Sequence, residues 1–184
     1  MKIAATLIES LSHEWRLSFM YTTIEQFIED YRNESASTQK LMNLLTDESL
    51  KQEFDAGHRT LGFLAWHIVP FGGLLNSAGL EFPSPEEGSE PPASAAVIAE
   101  TYAAASAALI EAVRKQWTDE MLPKSFQMFG QEWTYGQTLE VFIRHEVHHR
   151  GQMTVLMRQA GLPLAGMYGP SREEYSAFGM EAPR

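Results

Sequence analysis

The sequence predicts an all-α protein whose simplest architecture is a four-helix bundle with short extra terminal helices. Apolar residues recur at three- and four-residue spacing along most of the 184-residue chain, which is the period of a helix with one buried face. The strict alternation that is typical of half-buried strands is nearly absent. Capping residues and terminal glycines divide the pattern into four substantial segments, and four such helices bury their apolar faces most simply as a bundle.

The first part of the chain predicts an extension followed by one long helix. Residues 1–19 contain a short predicted helix, and we separate them as an N-terminal extension from a bundle domain that covers residues 20–184. A helix is predicted over 20–45, and the poor helix formers from Asn33 to Thr38 predict a break or bend in its middle. A capped short turn is predicted at 47–50.

The second bundle helix is predicted over 61–78. Thr60 supplies the N-cap of this segment, and Gly79 supplies its C-terminal stop. Pro70 lies inside the segment, and a proline there removes one backbone hydrogen bond of the helix. We therefore expect a kink near His67.

The remaining elements follow from a loop and two capped segments. Residues 81–93 are rich in proline and glutamate, which predicts a loop. An alanine-rich helix is predicted over 94–117, and a capping box opens another helix over 134–160. A second capping box at Ser171 predicts a short terminal helix.

Composition excludes several classes of function. The chain has no cysteine, so a metal must bind to His, Asp, Glu or backbone donors, and thiol chemistry requires a thiol from outside. The formal net charge is −10, whereas nucleic-acid binders present a basic face. No apolar run approaches the roughly 18 residues of a membrane span, and no signal-peptide cleavage site follows the N-terminus. We expect a cytoplasmic protein that binds neither nucleic acid nor membrane.

The segment from His145 to His149 carries the clearest chemical signal. Two imidazoles four residues apart on a helix project from the same face, so both can reach one cation. His67 lies on an apolar stripe of another predicted helix. Three neutral nitrogen donors from two packed helices would hold a divalent metal and leave coordination positions open, which is typical of a reactive site. The alternative is that each histidine is a core residue hydrogen-bonded to a neighbour.

Three neighbours of this pair are candidates for the second coordination shell. Gln152 lies one turn after His149 and could orient a ligand, while Glu146 and His148 lie between the two histidines. His145 and His149 also match the H-E-x-x-H signature of zinc peptidases, with Glu146 as the candidate base. The extended form of that signature fails at the downstream positions, which leaves Glu173 or Glu174 in the loop-rich tail as a possible third ligand. A chain without visible strands also lacks the edge strand that such peptidases use to hold a peptide.

The chain resembles the DinB/YfiT-like family. The resemblance rests on the segments at 60–68 and 145–152 and on the late Tyr168-Gly169-Pro170-Ser171. It implies a four-helix bundle, often dimeric, in which three histidines hold a divalent metal. Carried over to this chain, the ligands are His67, His145 and His149, and a homodimer is expected.

The resemblance also implies a class of reaction. Relatives in the wider superfamily include thiol-dependent S-transferases and a mycothiol-dependent isomerase. We therefore expect thiol S-transfer to a small electrophile, with Zn²⁺ or Ni²⁺ as the metal and an external low-molecular-weight thiol as co-substrate. Trp66, Phe71 and Phe142 are the expected lining of the substrate pocket. A metal-dependent hydrolase and a non-catalytic metal-binding stress-response module are the alternatives, and the sequence does not separate them.

Overall fold

The computed structural model describes residues 21–70, 73–86 and 88–182, and it confirms the all-α prediction. The long helices are α1 (Ile24–Met42), α4 (Ala95–Gln116) and α5 (Tyr135–Gln159). The remaining side of the bundle is formed by two short helices, α2 (Leu61–His67) and α3 (Gly73–Ser77). The leading helix predicted within residues 1–19 lies outside the described residues.

Side chains from all four sides of the bundle form its core. Helix α1 packs against α4 and α5, while α2 packs chiefly against α5. The buried apolar residues form two clusters, one around Leu61 and Met153 and the other around Phe27 and Leu109. A layer of buried polar side chains, described below, lies between α1, α4 and α5.

Two predictions about the helices need correction. Helix α1 runs without a break through residues 33–38, because Thr38 in this stretch is fully buried and hydrogen-bonded to Glu146 on α5. The segment predicted as one kinked helix over 61–78 is instead two helices. The first ends at His67, since Pro70 lacks the N–H that would continue the helical hydrogen bonds.

A small β-hairpin is an element that the sequence pattern does not predict. Strands β1 (Ser125–Met128) and β2 (Gln131–Thr134) pair antiparallel and lead directly into α5. The two turn residues, Phe129 and Gly130, both have positive φ angles of 53° and 73°. That is the conformation of a two-residue type I′ turn, which matches the twist of the strands.

The loop and terminal segments agree with their predictions. The described part of residues 81–93 contains no helix or strand, and a short 3₁₀ turn occupies Ser49–Lys51. A 3₁₀ helix at Arg172–Phe178 forms the predicted terminal helix. Helix α4 is long and apolar enough to cross a membrane by length and composition. Its buried face, which includes Tyr102 and Leu109, packs inside the bundle, as expected for a core helix.

Candidate metal centre

The histidines of α5 owe their position to the length and register of that helix. Thr134 caps its start by accepting a hydrogen bond from the backbone N–H of Gln137 at 3.1 Å. His145 and His149 then lie one turn apart on the same face, and their Nε2 atoms are 3.1 Å apart. His149 is buried, whereas His145 is more exposed to solvent and its ring is only partly buried.

His67 reaches the same point from the opposite side. It is the last residue of α2, and its Nε2 lies 3.3 Å from the Nε2 of His145. Phe63, one turn earlier, stacks on the His67 ring with 5.7 Å between ring centroids. The break at Pro70 lets α2 end here, so the imidazole projects from a helix terminus and not from the middle of a longer helix.

The three imidazoles have the spacing of a metal site. One nitrogen from each of His67, His145 and His149 lies within 4.8 Å of the other two. Two nitrogens that are each about 2.0–2.1 Å from a tetrahedral zinc ion are roughly 3.3–3.4 Å apart. The two closest separations, 3.1 and 3.3 Å, are near that value. Among the described residues these side chains form the one group with this potential, and they could hold a divalent ion.

The protonation state of the cluster suits metal binding. Partial burial, together with the neighbouring His149 and His67, lowers the pKa of His145 to about 4. Partial burial also lowers the pKa values of His67 and His149. All three rings are therefore neutral near pH 7, and a neutral imidazole offers the lone pair that a metal requires.

Gln152 selects the tautomer of His149. Its side-chain oxygen lies 2.7 Å from Nδ1 of His149, and because an amide oxygen can only accept, Nδ1 carries the proton. This leaves the lone pair of Nε2 directed toward the other two histidines. The amide nitrogen of Gln152 donates to Nε2 of His148 at 3.3 Å. The His148 ring also meets that of His149 edge-on, with centroids 4.8 Å apart, but His148 is not part of the group of three.

Glu146 points into the bundle core. Its Oε1 accepts hydrogen bonds of 2.6 Å from Thr38 on α1 and from Tyr102 on α4. Its side chain is almost fully buried, and Oε2 has no hydrogen-bond partner among the described residues. Burial raises the pKa of Glu146, although the two hydrogen bonds and Arg150 oppose the rise. A carboxylate tied to two core helices is poorly placed to serve as the mobile base of a zinc peptidase.

Arg150 forms the second half of this buried polar layer. Its guanidinium donates to the side chain and the backbone carbonyl of Glu34, to Thr38 and to Tyr168. Tyr168 lies in the C-terminal tail, so these bonds fasten the tail to α1 and α5. This network was not predicted from the sequence, although polar residues that alternate with apolar ones on the inner face of α5 are a signal for it.

A cavity of about 470 Å³ opens beside the histidines. Trp66 and Phe142, both predicted to line a pocket, lie on its wall, and so do His67 and His145. Phe71 falls outside the described residues. Trp66 is held in place because its Nε1 donates to the backbone and side-chain oxygens of Ser89.

The hairpin completes this cavity with residues that were not predicted. Phe129 and Trp133 line it, and their rings meet edge-on with centroids 6.4 Å apart. These two residues were not predicted because the segment before α5 has too weak a strand pattern to be distinguished from a connection. An alternating Phe126, Met128 and Trp133 around a glycine was the available signal for a hairpin.

Known proteins match this chain over most of its length. The model of the DinB family matches residues 20–182. The uncharacterized protein YrdA of Bacillus subtilis (strain 168) is 47% identical over 166 residues, which are 90% of this chain and 99% of YrdA.

Two solved structures share the fold. A DinB-like protein from Bacillus cereus ATCC 10987 superposes with a TM-score of 0.78 at 45% identity, covering 81% of this chain and all of the other. The DinB-like protein YjoA from Bacillus subtilis superposes with a TM-score of 0.59 at 24% identity, covering 78% of this chain and 99% of YjoA. The second comparison concerns the fold alone.

Proposed function

The chain belongs to the DinB family, and from this premise we propose that it is a divalent-metal enzyme that transfers a small-molecule thiol to an electrophile. The observation that supports the proposal most is the convergence of His67, His145 and His149, with one nitrogen of each within 4.8 Å of the others. Three protein ligands leave coordination positions for substrate, as in catalytic metal sites. Zn²⁺ and Ni²⁺ are the proposed metals, since both accept imidazole nitrogen.

The residues of this chain would each have a defined task. The three histidines hold the ion, and Gln152 keeps His149 in the tautomer that ligates. Trp66 and Phe142 line the cavity beside them and exclude water from the reacting groups. Bound at this site, a divalent ion would deprotonate a coordinated thiol. The chain has no cysteine, so the thiol must come from solution.

The first experiment tests metal binding. Protein purified without a His-tag is analysed for metal content as wild type, His149→Ala and His148→Ala. The exposed His148 is the matched control, because it neighbours His149 without belonging to the cluster. We expect one equivalent of metal in the wild type and in His148→Ala, and sharp loss in His149→Ala with an unchanged helical circular dichroism spectrum. Stoichiometric metal of unchanged affinity in His149→Ala would refute the ligand assignment.

The second experiment tests the reaction. Metal-loaded and chelator-treated proteins are incubated with low-molecular-weight thiols and electrophiles, and thiol consumption is followed. Loss of thiol that requires both the metal and an intact His149 supports S-transfer. Product formation without thiol would instead indicate a metal-dependent hydrolase, for which a metal-bound water is the nucleophile. Metal binding with no turnover across a broad panel would indicate a non-catalytic metal-binding module.

The assembly and location of the protein are also proposals. As the family resemblance implies, we propose a homodimer that acts in the cytoplasm on a small molecule and binds neither nucleic acid nor membrane. The net charge of −10 supports the absence of nucleic-acid binding. Light scattering coupled to size-exclusion chromatography measures the assembly, and a monomer at micromolar concentration would refute the dimer.

A further inference from the structure

The cavity beside the histidines has a lining that restricts what can enter it. Its volume of about 470 Å³ lies within the roughly 300–1,000 Å³ of small-molecule sites. The lining is predominantly apolar, and its aromatic members come from three parts of the fold. Phe63 and Trp66 lie on α2, Phe129 and Trp133 on the hairpin, and Phe142 on α5.

The charged side chains that line the cavity, apart from its histidines, are all acidic. Among the described residues that line it, the carboxylates are the exposed Glu90 and the buried Glu146, and no lysine or arginine is present. Arg59 contacts the ring of Phe63, 5.0 Å from the centroid, but it is not part of the lining. An anionic group placed away from the histidines would therefore lose its hydration without gaining a cationic partner.

We propose that the substrate of this site has an uncharged aromatic body, and that any polar reacting group it carries lies at the end facing the histidines. Aromatic rings gain from edge-to-face and offset contacts with other rings, beyond the area they bury. The hairpin supplies Phe129 and Trp133 to the lining, so Trp133 is a specificity-determining residue in this proposal. This proposal deepens the function proposed above and rests on it.

A matched pair of fluorescent probes tests the chemistry of the body. N-phenyl-1-naphthylamine is an uncharged diaryl molecule, and 8-anilinonaphthalene-1-sulfonate has the same rings with one added anionic group. We expect saturable one-to-one binding of the uncharged probe, with an affinity higher than that of the sulfonate by roughly tenfold or more. Absence of saturable binding, or binding of the sulfonate at least as tightly, would overturn the proposal.

Substitutions on the hairpin test the location of the probe. Trp133→Ala should weaken binding of the uncharged probe by roughly fivefold, and Trp133→Phe, which keeps a ring, should recover most of the affinity. Phe54→Ala is the control, since Phe54 is 70% exposed and does not line the cavity. Unchanged affinity in Trp133→Ala, or equal loss in Phe54→Ala, would overturn the assignment of the site.

The same samples separate this proposal from the proposed function. Each titration is run on wild-type protein with zinc and after chelation, and zinc affinity is measured independently. Probe binding without zinc binding would refute the metal enzyme but leave the aromatic cavity established. Zinc binding with no preference for the uncharged probe would refute the substrate class alone.

Discussion

Replacing Arg150 with alanine should destabilise the protein far more than replacing another arginine of the same helix. The guanidinium of Arg150 is almost fully buried, and it donates four hydrogen bonds to Glu34, Thr38 and Tyr168. Removing one partner of a buried ion pair leaves the other charge without compensation, which costs about 3–5 kcal/mol. Because the side chain of Glu34 remains 13% exposed, water can reach it, and we expect a cost of about 3 kcal/mol.

The assay is chemical denaturation of the metal-free protein, supported by thermal melts. A loss of about 3 kcal/mol corresponds to a decrease in Tm of roughly 6–12 °C for a protein of this length. Arg158→Ala is the control, because the ion pair of Arg158 with Glu173 is on the surface and such pairs contribute at most about 1 kcal/mol. The joint replacement of Arg150 and Glu34 by methionine should recover part of the lost stability, since no unpaired charge remains.

One result would refute this reasoning. If Arg150→Ala and Arg158→Ala lower the free energy of unfolding by the same amount, the network around Arg150 has no more effect than a surface contact. The distinction between buried and exposed pairs would then fail for this protein.

Three further perturbations have defined outcomes. Gln152→Leu should weaken zinc binding about 10- to 100-fold, because the side chain that orients the imidazole of His149 is lost. Competition with a chromophoric chelator measures the zinc affinity, and an unchanged affinity would contradict this prediction. Gly151→Ala should stabilise the folded protein by up to about 1 kcal/mol, since nothing lies within 4 Å of the added Cβ on α5. Gly62→Ala should not raise the free energy of unfolding, because its Cβ would lie 3.1 Å from Leu50 in the adjacent 3₁₀ turn. A larger gain for Gly62→Ala than for Gly151→Ala in urea melts would refute the packing argument. The pKa of Glu173 is lowered to about 2, chiefly by the hydrogen bond from Arg158. The resulting stabilisation, at most about 1 kcal/mol for an exposed pair, is present above the unfolded pKa of about 4.3 and is lost as the pH falls toward 2. Arg158→Gln should reduce this part of the pH dependence, which urea melts across this pH range measure, and an unchanged pH dependence would contradict the assignment.

The helices were predictable because their signals are local. Thr60 and Thr134 both accept the expected capping hydrogen bonds, and the helix predicted over 134–160 matches α5 within a residue at each end. The hairpin was not predictable in the same way, since each strand has only four residues. Its turn also places a phenylalanine, Phe129, at a positive φ, where asparagine or glycine would have been the expected signal.

The sequence predicts the three candidate metal-ligating histidines, which the structure brings together, but it predicts their surroundings less well. His145 and His149 share a face because of helix geometry alone, and His67 was assigned from its apolar stripe and the family resemblance. The position of Glu146 between the two histidines of α5 in sequence predicts a place beside them. Its side chain instead bonds to Thr38 and Tyr102, which lie 108 and 44 positions away in sequence and which no local pattern brings to it.

The sequence by itself determined the helical segments, their caps and the one-turn spacing of His145 and His149, since these depend on interactions between residues a few positions apart. Only the tertiary structure decided that His67 meets them, that Pro70 divides its helix in two and that the hairpin covers one side of the cavity. These features depend on packing between segments far apart in the chain. The direction in which each side chain of α5 points is fixed by helix geometry, but what it meets there depends on which helix packs against that face.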